Sequence, residues 1–94
     1  MPHKLSDNAL TFRALILAEI EGNGFLKGFA DDRATPWRTW EEWQAFSTLG
    51  CNSYMVASGE LDKHDPTLER ETDTTAWPRK HRWKLRDSVS GLDA

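Results

Sequence analysis

The order of apolar and polar positions marks out a first helix from Asp7 to Glu21. Ser6, Asp7 and Asn8 supply an N-cap and an acidic first turn, good helix formers follow, and Gly22-Asn23-Gly24 ends the run. At about 100° per residue, Leu10, Ala14 and Leu17 share one side and Phe12, Ile16 and Ile20 another, with Arg13, Glu19 and Glu21 between them. A helix that is apolar on two sides has to be covered twice. It either lies centrally in its own domain or meets a second copy of the chain, so a homodimer enters the reading here.

Further along, Gly24 to Ala30 carries Phe25, Leu26 and Phe29 at a spacing that predicts one helical turn. Two starts, one turn apart, compete for the next helix: Thr35-Pro36, with proline in the first helical position, and Thr39-Trp40-Glu41-Glu42, which has the Thr-x-x-Glu form of a capping box. From either start the helix runs to Leu49 and ends at Gly50. Ser53 to Ser58 reads equally as a short helix or a strand. Asp65-Pro66 predicts another short helix through Glu71, and Thr72 to Thr75 a polar linker. Arg82 to Arg86 alternates charge and bulk with period two, as a half-exposed strand does, before Ser88, Ser90 and Gly91 lead into a mobile tail. The expected architecture is a mainly α, small single-domain helical bundle of three to five helices over residues 1–94, with a short C-terminal β-strand or extended segment. Its core covers about residues 5–86 and its tail residues 87–94.

Composition narrows the function classes. With 38% hydrophobic and 29% charged residues and a net charge of −3, the 94-residue chain lacks the pairing of high net charge with low apolar content that keeps a chain unfolded. Cys51 is the single cysteine, which excludes an internal disulfide and a cysteine zinc cage and fits a reducing compartment. The longest mainly apolar stretch, Ala14 to Ile20, falls far short of a membrane span, and the opening residues do not follow the order of a secretory signal. A cytoplasmic protein without a membrane segment is the expectation.

The most informative positions are Trp37, Trp40, Trp43 and Phe46, three residues apart on one predicted helix. Each step turns the helix by about 300°, so the row spreads over about half the circumference and can face a core at one end and a partner at the other. Trp77 and Trp83 complete the set of five tryptophans, and tryptophan is enriched at binding hot spots. Filling the core of a chain short of aliphatic residues is the competing use of the same side chains.

Charge is segregated as well. Residues 60–73 hold six acids and two bases, whereas Arg79, Lys80, Arg82, Lys84 and Arg86 form a segment with five cations and no acid. These stretches can neutralise each other within the fold. Alternatively the cations, interleaved with Trp77 and Trp83, can hold phosphates and stack on bases. The overall acidic balance weighs against a dedicated nucleic-acid domain.

Gln44 to Val56 contains a Leu49-Gly50-Cys51 turn, a polar Asn52-Ser53 cap and an apolar Val56 six places after the glycine. In these features it resembles the helix-turn-helix motif, which implies a second helix reading a DNA groove. It departs from the motif at Phe46, where alanine is usual, and in a would-be recognition helix from Ser53 to Leu61 that carries Glu60 and no cation.

Catalytic and metal chemistry has little to work with. Glu60, Asp62 and His64 would share a face if extended, but charged residues before a proline are more often a hydrophilic loop, and neither His3 nor His81 has a ligand at metal spacing. No base is at hand for Cys51, and Gly22-Asn23-Gly24 follows a helix rather than the strand that a phosphate loop requires. The sequence therefore predicts no enzyme, no metal and no cofactor. It predicts a binding protein that occupies a surface of a partner protein or complex through Trp37, Trp40, Trp43, Trp77 and Trp83. Small inhibitors and adaptors of viruses and mobile elements share this profile of size and composition. Nucleic-acid binding through Arg79, Lys80, Arg82, Lys84 and Arg86 is the alternative.

Overall fold

The computed structural model describes residues 3–22, 35–47, 49 and 51–86. The helical turn expected at Gly24 to Ala30, the cap at Gly50, the tail 87–94 and the side chain of Cys51 lie outside them.

Helix α1 spans Asp7–Gly22. Ser6 is its N-cap, the hydroxyl accepting from the Ala9 N–H at 3.2 Å. Ala9, Phe12, Ile16 and Ile20 are sealed in the core, whereas Leu10 remains 48% exposed, Ala14 is exposed and Leu17 is half-buried. Among the described residues the second side is thus covered only in part, at Leu17. One stripe is enough to dock the helix, and small or isolated apolar residues on the other are tolerated in water.

Helix α2 spans Trp40–Ser47. Of the two competing starts, the capping box is the one used: the Thr39 N–H donates to Glu42 Oε1 at 2.8 Å, and the Glu42 N–H donates to Thr39 Oγ1 at 3.3 Å. These bonds hold the Glu42 carboxyl below the usual carboxylate range. The start at Thr35 is overturned because Thr35 is buried beside a strand and commits both its N–H and its hydroxyl there. Helix α2 also stops short of Leu49, since Ser47 Oγ accepts from the Leu49 N–H at 3.3 Å and turns the chain.

Helix α3, Cys51–His64, resolves the ambiguity at Ser53 to Ser58 in favour of helix. Tyr54, Ala57, Ser58 and Leu61 form its buried stripe. The helix predicted from Asp65 to Glu71 does not exist. Asp65 Oδ1 instead accepts from the Thr67 N–H at 2.7 Å and the Thr67 hydroxyl at 2.6 Å, a local turn that feeds strand β1, Leu68–Asp73. A second Asp-x-Thr turn, Asp73 Oδ1 on the Thr75 N–H and hydroxyl, opens the loop to strand β2, Lys80–Leu85. The expected C-terminal strand is therefore present, but as one half of an antiparallel hairpin, with Leu68 opposite Leu85 and Asp73 opposite Lys80. Among the described residues the architecture is mainly α in outline, with three helices and this two-stranded sheet.

Strand β2 is occupied on both edges. Away from β1, the Thr35 hydroxyl donates to the Trp83 carbonyl at 2.6 Å, and His81 exchanges both backbone bonds with Arg38, at 2.7 and 2.8 Å. The His81 carbonyl also accepts the Trp43 indole N–H at 2.8 Å, which fastens α2 to the strand. Where α3 meets the hairpin, Asp65 accepts from Arg13 Nε at 2.7 Å. Burial alone would raise the Asp65 carboxyl, but the bonds from Thr67 and Arg13 outweigh it and hold the group below its ordinary value.

Phe12 is the meeting point of the core. It packs edge-on against Trp43, Tyr54 and Trp83, with ring centroids at 6.2, 5.1 and 5.9 Å. Phe12→Ala is expected to cost about 3–5 kcal/mol in urea unfolding, and a loss below about 1 kcal/mol would contradict this packing. Gly59 provides the opposite case. It is an exposed position inside α3, where an added Cβ meets nothing within 4 Å, so Gly59→Ala should raise stability by about 0.5–1 kcal/mol.

Candidate functional site

The hairpin separates its side chains by parity. Leu68, Trp83 and Leu85 are sealed toward the helices, and His81 joins them, its Nδ1 within 3.0 Å of the Thr72 hydroxyl. Burial lowers the pKa of His81 and the nearby Arg70 and Arg79 add to the effect, so the ring is held neutral. Alternate residues point to the other face, where the register sets Glu69 opposite Lys84, Glu71 opposite Arg82 and Asp73 opposite Lys80. Lys84 Nζ lies 3.6 Å from Glu69 and 3.0 Å from Glu71, and Arg82 lies 3.3 Å from Glu71. Burial acts to raise the Glu71 carboxyl, but Lys84 and Arg82 outweigh it and hold it low.

This ladder absorbs much of the basic segment. Arg82 also lies over the Trp37 ring at 4.7 Å. Arg86 donates to the Asp62 and Asp65 carbonyls at 3.0 Å each, capping the end of α3, and lies 3.8 Å from Glu69. Arg79 and Lys80, at the end of the loop, are the members of the set left exposed.

The five tryptophans divide in the same way. Trp43 and Trp83 are fully buried, which corrects the expectation that they face a partner: the core needs them to surround Phe12. Trp40 is half-buried, with Tyr54 and His81 at ring centroid distances of 5.3 and 4.1 Å and the Arg70 guanidinium above it at 5.0 Å. Trp37 is 37% exposed and Trp77 91%. The hairpin loop thus presents Trp77, Pro78, Arg79 and Lys80 together to solvent, following a cis bond between Trp77 and Pro78.

The helix-turn-helix expectation is met only in that α2 and α3 flank residues 48–50. The exposed positions of α3 include Asn52, Met55, Val56 and Gly59, with no cation before Lys63. Phe46, where the motif usually has alanine, packs edge-on against Trp43 at 5.4 Å. Glu60 and His64 lie one turn apart on α3, while Asp62 turns away to Arg70 at 3.8 Å. Among the described residues no group of three or more His, Cys, Asp or Glu is placed to hold a metal ion, and no helix is long and apolar enough to cross a membrane.

Mutual neutralisation of the acidic and basic stretches is among the expectations, but the cross-strand register that produces it and the burial of Thr35 are not. The ladder was announced by acids at 69, 71 and 73 and cations at 80, 82 and 84, two period-two rows at mirrored distances from one loop. The burial of Thr35 had no local signal, because it depends on the arrival of Trp83. If the ladder supports the hairpin, Glu71→Lys, which puts a cation among Arg82 and Lys84, should lose about 1 kcal/mol at low salt. The deficit should narrow in about 1 M salt, where the Debye length is about 3 Å. Equal stability of variant and wild type at low salt would contradict the pairing. No family model, curated protein or solved structure matches the chain.

Proposed function

We propose that the chain is a non-catalytic binding protein that occupies a surface of a partner protein, with residues 74–80 as its contact and Trp77 as its anchor. The observation that carries this reading is the 91% exposure of a tryptophan on a hairpin whose strand β2 is paired on both edges. A large ring on a supported loop loses little entropy on docking, which is the economy that hot-spot aromatics exploit. Arg79 and Lys80 beside it favour an acidic rim around the partner's apolar pocket. A cytosolic setting is part of the proposal.

The nucleic-acid reading is the weaker of the two. Phosphate binding draws on cations that face solvent, and Arg82, Lys84 and Arg86 are held by carboxylates and carbonyls of this chain. Capture from lysate of the native host, with and without nuclease, separates the readings. A nuclease-resistant protein should be retained by the wild type and bind Trp77→Ala at least roughly 30-fold more weakly. The variant itself should unfold within about 0.5 kcal/mol of wild type, since the Trp77 side chain is almost wholly in solvent. Capture indifferent to Trp77→Ala would end this proposal, and capture abolished by nuclease would replace it with the nucleic-acid reading.

A further inference from the structure

Away from the hairpin, a second cluster joins the N-terminal segment to α3. Glu60 accepts three bonds across that junction: from the Ser6 N–H at 2.7 Å and His3 Nε2 at 2.9 Å on Oε2, and from the Ser6 hydroxyl at 2.8 Å on Oε1. An ionised carboxylate only accepts, so His3 must carry its proton on Nε2. His64, one helical turn beyond Glu60, stacks on His3 with ring centroids 3.8 Å apart and planes 11° from parallel. Leu5, between His3 and Ser6, packs against the core. The cap of α1 is therefore held in place by a carboxylate and an imidazole from a different helix.

We propose that His3, Glu60 and His64 form an acid-released clamp that holds residues 3–6 on α3. Two imidazoles stack readily while one of them is neutral, and two imidazolium rings at this separation repel. The charges acting on His64 are those of His3 and Lys63, which oppose its protonation, and of Glu60, which favours it. Partial desolvation, followed by the influence of His3 and Lys63, holds its pKa below the ordinary histidine value. The sign follows from linkage. A group that binds its proton less readily when folded stabilises the fold fully above its unfolded value of about 6.5, and that contribution declines as pH falls through 6.5 toward the lower folded value. Glu60 stays ionised across this window, because its bonds with His3 and Ser6 hold it below the ordinary carboxylate value. The first acid step therefore belongs to His64, and release exposes Leu5. The clamp is independent of the docking surface on the hairpin.

Imidazole titration by NMR, together with amide hydrogen exchange of the full chain from about pH 7.5 to about pH 5, tests it. His64 should titrate below the ordinary histidine value, and the protection factor of the Ser6 amide should fall about tenfold over that range while core amides keep theirs. His64→Phe retains a ring to stack and removes the charge, so protection of Ser6 should become independent of pH over the same range. Glu60→Gln should lower that protection at every pH. If His64→Phe does not fold, the wild-type titration decides alone. A His64 value at or above the ordinary one, constant Ser6 protection, or an unchanged step in a folded His64→Phe would overturn the clamp.

Discussion

Burial of Trp83 on one face of a two-stranded hairpin imposes the order that the rest of the molecule follows. Side chains alternate across a strand, so sealing Trp83 and His81 against the helices sends Lys80, Arg82 and Lys84 to the opposite face. On β1 the same parity turns Leu68 inward and Glu69, Glu71 and Asp73 outward. Opposite charges then meet across each rung. A shift of register by one residue would place lysine and arginine in the core and tryptophan in solvent, so packing and electrostatics select the same pairing.

The second edge of β2 explains how so few elements hold together. Thr35 and Arg38 pair with Trp83 and His81, and the Trp43 indole N–H reaches the His81 carbonyl, so strand, connecting segment and α2 share one set of backbone groups. Phe12 brings α1 to the same place, edge-on to Trp43, Tyr54 and Trp83. An aromatic centre of this kind suits a chain of 94 residues, because each large ring buries much area for one ordered side chain. It also decides which indoles remain for other work. Trp43 and Trp83 are used in folding, Trp40 is shared between core and surface, and Trp77 has no structural task that the described contacts reveal.

Ionic groups follow a similar division. Asp65 is buried where α3 turns into the hairpin and is matched by Arg13 and Thr67, while the acids of the ladder are partly open to water and matched by cations across the strand. Pairs of the second kind contribute little each, but they favour one register and use up charge that would otherwise attract phosphate. Glu60 belongs to neither group: its partners His3 and Ser6 come from the segment that leads into α1, so its bonds tie that segment to α3.

Local chemistry made α1, the Thr39 capping box and the C-terminal strand readable from sequence, because the signal for each lies within a few consecutive residues. The competing charge readings were also visible, with mutual neutralisation among them. What could not be read was any outcome that depends on a distant residue. Asp65-Pro66 carries a helix-start signal, yet it serves a turn, since Leu68 has to reach Leu85 across the hairpin. Thr35-Pro36 carries another, and Thr35 instead serves the edge of β2. The five tryptophans look alike in the sequence. Only their neighbours decided that Trp43 and Trp83 are interior and Trp77 is not, because burial is a property of what surrounds a side chain, and those surroundings come from residues far away along the chain.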